Sequence, residues 1–296
     1  SRSLSTPGVK LEEKKDETDT WGDEVTGSQA TLYRALVARG IYLSQDRSDI
    51  GYSVKELSRK MSKPNTGDVE KLKHLARYLL GRERAVIHYD YQVMPREWTV
   101  WVDSDWAGCR VTRKSTSGGL GMWGSKDIRS WSTTQSVIAM SSGEAEYYSM
   151  VKGSSMGMGV KSISMDMGVF VPIINVKTDA SAAKGIASRR GLGKIRHIEV
   201  SQLWLQDRVS RGEIMVAKVR TNDNLADALT KYVGSSILES HMRGIGLVIM
   251  KGRHKLTPEN DVSSVSCRPA VRVVSGKSLC SCKGLFPEQF TLKCHR

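Results

Sequence analysis

The chain has 296 residues, with 45 Lys and Arg against 31 Asp and Glu, a formal net charge of +14. Hydrophobic residues make up 39% and charged residues 26%, which is enough for a packed core in one or two domains and argues against wholesale disorder. No apolar run nears a membrane span, no signal-peptide pattern opens the chain, and the five cysteines do not form a secreted disulfide scaffold, so a reducing compartment is expected.

With Ser1 in place of an initiator Met, the chain is expected to be cut from a longer one. The charge balance is +2 over residues 1–97, +6 over 98–232 and +6 over 233–296. A basic field of this kind attracts polyanions, nucleic acid first.

Residues 1–28 carry Glu12, Glu13, Lys14, Lys15, Asp16, Glu17 and Asp19 with few large apolar side chains, which predicts a solvated, disordered linker. Leu32, Leu36, Val37 and Leu43 then recur at helical spacing. Val54, Leu57 and Met61 follow up to Pro64, and Val69, Leu72, Leu75, Ala76 and Leu79 make a third stripe. Three core-packing helices are predicted, a small helical unit over residues 29–82 within a segment, 29–97, that ends where the pattern changes.

The pattern turns β-rich at Trp98. "WTVWVDSDW", "TSGGLGMWG" and "IRSWSTT" read as a three-strand meander. "SSGEAEYYSMVKGSSMGM" predicts a Ser-capped helix, and "VPIINVKTD" a fourth strand. "ASAAKGIASRR" and "RHIEVSQLWLQDRVSRG" predict helices, "EIMVAKVR" a fifth strand, and "NDNLADALTKY" a last helix capped by Asn222 or Asp223. The fold class is α/β, a mixed five-stranded sheet with helices on both faces over residues 98–232. Trp101, Trp106, Trp123, Trp131 and Trp204 read as packing residues. After Tyr232 the periodicity fades, and residues 233–296 read as a basic, poorly structured tail.

Four acids stand out by position. Asp103 lies in the first strand, Glu146 in the first turns of the helix after the meander, Asp179 at the end of the fourth strand and Asp227 in the last helix. If the first and fourth strands are parallel neighbours, their carboxyl ends meet where ligands usually bind in such sheets. Like charges that close raise one another's pKa unless a cation compensates them. A hard divalent ion such as Mg²⁺ suits oxygen ligands, and a pair of ions about 4 Å apart can activate water and stabilise a leaving oxygen. Each acid alone also fits an ordinary cap or surface position. Glu144 is the alternative to Glu146, two residues away and facing nearly the opposite side of a helix. Asp105 reads as part of the turn.

Arg110, Arg113 and Lys114 fall between the first two strands, and Lys184, Arg189, Arg190, Lys194 and Arg196 flank the helix after Asp179. Both clusters fit phosphate contacts that position a nucleic acid without reading its sequence, as well as solvated turns. Cys280, Cys282, Cys294 and His295, with Cys267 upstream, have spacing too irregular for zinc and read as free thiols. Cys109 has no base at motif spacing.

In order, "WVDSDWAGCRVTRKSTSGG", "WSTTQSVIAMSSGEAEYYSM", "VKTDASAA", "IRHIEV" and "NLADALTK" resemble the ribonuclease H domain of Ty1/copia-type retrotransposon Pol polyproteins. The stretch from "YRALVARGIYLSQDRSDIGYSVKELSRKMSKP" to "HLARYLLG" resembles the segment joining the reverse transcriptase to that domain. Together they cover about residues 30–232. The resemblance implies a ribonuclease H-like fold and hydrolysis of the RNA strand of an RNA–DNA hybrid. It implies two Mg²⁺ ions, with Mn²⁺ able to substitute, held by Asp103, Glu146, Asp179 and Asp227. The implied partners are the hybrid and an upstream reverse transcriptase domain of the same polyprotein, in a cytoplasmic virus-like particle or the nucleus, with no membrane.

Asp103, Asp179 and Asp227 match the family's first-strand, fourth-strand and last-helix aspartates, and "EYYSM" places the glutamate at Glu146. Two departures stand out. "KVRTNDNLAD" lacks the His that many cellular ribonucleases H carry before the last Asp; His197 is not its equivalent in position and reads as a structural or helix-start residue, with a place near the site as the alternative. Gly143 also stands where a better helix former is expected. The alternatives are an inactive nucleic-acid-binding remnant and an integrase-like DNA strand transferase; integrase-type His/Cys pairs are missing, and no Tyr-x-Asp-Asp motif for a polymerase occurs.

Overall fold

The computed structural model describes residues 3–9, 22–169, 173–193 and 197–252. Helix α1 spans Gly27–Leu43, α2 Gly51–Ser58 and α3 Thr66–Leu80. The last of these starts sharply because Asn65 and Asp68 form a reciprocal cap. The Asn65 side chain accepts the Asp68 N–H at 2.8 Å, and the Asp68 carboxylate accepts the Asn65 N–H at 3.1 Å. A short strand, β1, follows at Arg84–Ile87.

The central sheet is built from β2 (Glu97–Asp105), β3 (Thr116–Trp123), β4 (Lys126–Thr134), β5 (Ile173–Thr178) and β6 (Ile214–Lys218). Its order is β4-β3-β2-β5-β6: an antiparallel meander, then β5 parallel to β2 and β6 parallel to β5. This is the mixed ribonuclease H-like sheet that the sequence predicts. Helix α4 (Ser142–Asp166) connects β4 to β5, and α5 (Ser181–Ala187) and α6 (Trp204–Ser210) lie between β5 and β6.

Strand alternation sorts β2 onto two faces. Trp98, Val100 and Val102 pack with Trp131 beneath Tyr147 and Met150 of α4, Ala183 and Ile186 of α5 and Leu205 of α6. On the other face, Trp101, Leu120 and Met122 join Tyr33, Val37, Val54, Leu57, Leu75 and Tyr78 of the helical segment. Helices thus cover both faces, but the second cover comes from outside residues 98–232.

Three stretches differ from expectation. Residues 233–252 are ordered as helix α7 (Ser235–Gly244) and strand β7 (Leu247–Met250), which pairs antiparallel with β1. Leu238, Met242 and Ile245 at i, i+4 and i+7 bury one face of α7 in the second core. His241 of α7 lies 3.1 Å from Ser48 Oγ, beside an Arg47–Asp49 ion pair at 2.8 Å that also receives the Tyr78 hydroxyl. Parts of the expected linker are also held: Pro7 and Val25 are buried, and Glu24 bridges to Asn65. Residues 10–21 and 253–296, with Cys267, Cys280, Cys282, Cys294 and His295, lie outside the described residues.

The third difference is the expected last helix, "NDNLADALTKY". It forms two 3₁₀ turns, Thr221–Asp223 and Asp227–Leu229. Asn224 is the cause. Its side-chain NH₂ donates to the Val102 carbonyl at 3.0 Å and its side-chain oxygen accepts the Ala226 N–H at 3.2 Å. Such side-chain bonds compete with a helical backbone, and here they pin the turn to β2.

Candidate active site

Asp103, Glu146 and Asp179 each place a carboxylate oxygen within 4.8 Å of the others. The register explains this. β5 runs parallel to β2, so Asp179, just past β5, comes beside the carboxyl end of β2. Helix α4 starts above the same edge and brings Glu146 within 3.2 Å of the Ser104 N–H, which its Oε1 accepts. Gly118, opposite Asp103 in β3, has no side chain to fill the space beneath; a Cβ there would lie 2.6 Å from Thr230 Cγ2 and 2.9 Å from Leu229 Cβ. The Asp227–Leu229 turn therefore packs close, and the Thr230 hydroxyl meets the Asp103 carboxylate. Asp227, the fourth predicted acid, is not one of these three; its charge bears on Asp103, and its own carboxylate pairs with Lys231.

The electrostatics fit a site short of positive charge. Asp103 is 5% exposed, and its pKa is pushed up to about 6, by burial first and then by Asp227 and Asp179, against the lowering bond from Thr230. Glu146 is pushed up to about 9 by burial and by the neighbouring charges of Asp103 and Asp179. Its Oε2 is buried without a hydrogen-bond partner. Lys231 contacts Asp227; burial opposes its charge, but Asp227, Asp103 and Asp179 hold its pKa above the ordinary value.

Glu144 is turned away from this cluster. Its Oε2 accepts the Met140 N–H at 2.9 Å and faces His197 Nε2 at 2.7 Å, while Oε1 accepts the Tyr148 hydroxyl at 2.7 Å. Asp105 is the last residue of β2 rather than a turn residue, and its carboxylate closes on the Thr116 N–H. Gly143 allows a close helix contact, since a Cβ there would lie 2.9 Å from that of Ala182. Trp106, expected in a core, is 54% exposed, with its indole N–H on the Ala139 carbonyl at 3.2 Å.

Among the basic candidates, Arg110 and Arg113 are exposed and Lys114 is half-buried in the β2–β3 loop. Lys184 and Arg189 are half-buried and Arg190 is exposed around the end of α5. Lys194 and Arg196 lie outside the described residues. Sequence reasoning missed Thr230 and Lys231; their signal is a place three and four residues after Asp227, one helical turn on.

No family model matches the chain. It is 31% identical over 224 residues to the retrovirus-related Pol polyprotein from transposon RE1 of Arabidopsis thaliana, covering 73% of this chain and 15% of that one. It is 27% identical over 254 residues to the Pol polyprotein from transposon TNT 1-94 of Nicotiana tabacum, covering 83% and 19%. The relatives that the chain resembles at 27–31% identity are thus retrovirus-related Pol polyproteins of copia-type transposons. It spans less than a fifth of the length of these Pol relatives.

Among solved structures, LC11 ribonuclease H1 in complex with an RNA/DNA hybrid is 10% identical, covering 45% of this chain and 94% of its own, with a TM-score of 0.31. The N-terminal ribonuclease H domain of a Mycobacterium tuberculosis protein is 15% identical, covering 50% and 96%, with a TM-score of 0.32. The fold assignment rests on the strand order of this chain. Among the described residues, no helix is long and apolar enough to cross a membrane.

Proposed function

We propose that this chain hydrolyses the RNA strand of RNA–DNA hybrids with divalent metal ions, as part of retrotransposon reverse transcription. The observation that carries the reading is the meeting of Asp103, Glu146 and Asp179 within 4.8 Å. The donor set suits Mg²⁺, with Mn²⁺ able to substitute: all ligands are oxygens, and the buried Glu146 Oε2 has no other partner. Asp103, Glu146 and Asp179 would hold an ion, and Asp227, next to Asp103, would be the added ligand for a second. When bound, such ions supply Lewis acidity to the phosphodiester and lower the pKa of water.

The chain's own groups do the positioning. Thr230 orients the Asp103 carboxylate, the Ser104 N–H orients that of Glu146, and Asn224 fixes the turn that carries Asp227 to the Val102 carbonyl. Lys231 neutralises part of the acidic cluster. Arg110, Arg113 and Lys114 on one side, and Lys184, Arg189 and Arg190 on the other, contact phosphates of the hybrid. Recognition by shape and 2′-hydroxyls gives little sequence preference. An upstream reverse transcriptase domain of the same polyprotein supplies the hybrid, within a cytoplasmic particle or the nucleus.

Incubation with Mg²⁺ and a labelled hybrid tests the reading. Wild type is expected to cut the RNA strand, and Asp103→Asn to lose several kcal/mol of transition-state stabilisation, about a thousandfold or more in rate. Glu146→Gln is expected to abolish the rise in melting temperature that Mg²⁺ gives the wild type. Hybrid binding without turnover, at every Mg²⁺ and Mn²⁺ concentration, would reject the hydrolase and indicate an inactive binding remnant.

A further inference from the structure

The described parts of the connection between α5 and α6, residues 188–193 and 197–203, are each fastened. Near α5, the buried Gln206 amide donates to the Ile186 and Gly191 carbonyls at 2.9 and 3.1 Å and accepts the Gly191 N–H at 2.9 Å. Near α6, the Tyr147 hydroxyl donates to the Gln202 carbonyl at 2.8 Å, and His197 Nε2 lies 2.7 Å from Glu144 Oε2. Glu144 is 1% exposed. A buried carboxylate is costly without donors, and Glu144 has three: the Met140 N–H, the Tyr148 hydroxyl and His197. A carboxylate accepts only, so the His197 ring must donate through Nε2.

The position of this tie matters. Glu144 and Tyr147 flank Glu146 on α4, so the two bonds near α6 reach the helix start that delivers Glu146 to the acidic cluster. The other end of the connection begins with Arg189 and Arg190. Ile198, next to His197, is buried in the core beneath α4 to α6, whereas the His197 side chain itself is 49% exposed. The imidazole therefore acts as a surface clasp on a buried acid rather than as filling for the core.

We infer that His197 is a positioning residue: through Glu144, it sets the stretch that leads into α6, residues 197–203, in register with the helix that carries Glu146. Its effect on substrate rests on the hydrolase reading above; the tie itself does not. With the clasp open, residues 197–203 shift against α4 and the site holds the hybrid less firmly, while the acidic cluster stays assembled.

The test uses the full chain with His197→Ala and His197→Gln, the latter keeping an N–H donor. Losing a hydrogen bond to a charged acceptor is expected to speed amide exchange over residues 198–203 about tenfold in the Ala variant, with the Gln variant close to wild type. The Ala variant is also expected to raise KM for a hybrid about tenfold with kcat within about twofold, and Gln to recover most of the loss. A merely structural lesion would lower kcat as well and would not be rescued by Gln. Unchanged exchange and KM in His197→Ala, or a Gln variant as impaired as Ala, overturns the inference. Exchange is read on protein without metal or nucleic acid. Failure of the wild type to cut any hybrid, with the exchange response intact, would therefore sink the hydrolase reading and leave the tie standing.

Discussion

The two faces of the central sheet are covered by different parts of the chain. On one, Trp98, Val100 and Val102 lie under α4, α5 and α6, all from residues 98–232. On the other, Trp101, Leu120, Met122 and Leu229 lie under α1, α2, α3 and α7, all from outside that range. The acids draw on both: Glu146 comes from a helix of the first cover, and Asp227 from the turn packed against the second. The change of sequence pattern at Trp98 thus marks a change of secondary structure, while the packing runs straight across it, and the described residues up to Gly252 form one unit.

The largest expected effect follows from removing the second cover. Each large apolar side chain exposed costs about 1.5–3 kcal/mol, and a domain has only about 5–15 kcal/mol in hand. Residues 97–252 without the helical segment are expected to lose cooperative unfolding and the near-ultraviolet dichroism of packed tryptophans. A fragment of residues 22–252 is expected to keep both. A truncated chain that melts like the full one would break the comparison between the faces.

Point substitutions sharpen it. Leu229→Ala and Leu205→Ala each empty a fully buried site, one on either face, and each is expected to cost about 2–5 kcal/mol in denaturant unfolding. They should differ in metal binding. Leu229 precedes Thr230, which holds Asp103, so only Leu229→Ala should weaken Mg²⁺ affinity in calorimetric titration. Equal affinities in the two variants would mean that the second face does not support the acids. Gly118→Ala tests the same contact by overfilling it, since Leu229 backbone lies 3.0 Å from the added carbon. About 1–3 kcal/mol of lost stability is expected, again with weaker Mg²⁺ binding.

These contrasts also show what was legible in the sequence. Asp103 and Asp179 could be placed because strand ends follow from alternation and turn residues. Helical geometry puts Glu146 and Glu144 on different faces and the family's "EYYSM" pattern picks Glu146, but the His197 partner of Glu144 comes from a distant segment that no local pattern links. Asp227 was legible by its motif, whereas its 3₁₀ turn was not, because that turn depends on Asn224 reaching the Val102 carbonyl across the fold. The α7–β7 stretch escaped because three apolar residues at helical spacing sit among Ser, Gly and Arg, and because the pairing of β7 with β1 joins distant segments. The covering of the second face by the helical segment is likewise a tertiary fact. Amphipathic stripes announce that helices bury something, without saying what.

The smallest expected effect concerns Asp127, which stands opposite Met122 at the start of β4, away from the acidic cluster. It is 8% exposed, and its Oδ1 has no hydrogen-bond partner. Burial pushes its pKa from 3.8 to about 7, against a lowering bond from the Arg129 backbone. Below 3.8 the carboxyl is neutral in both folded and unfolded chains, and its burial carries no charge penalty. Between 3.8 and about 7 the unfolded chain releases the proton that the folded chain keeps, so this group's contribution to stability falls as pH rises, levelling off above about 7. Asp127→Asn should therefore leave the melting temperature unchanged at about pH 4 and raise it by a few degrees at about pH 8. An equal gain at both pH values would place the cause in packing or hydrogen bonding rather than in charge.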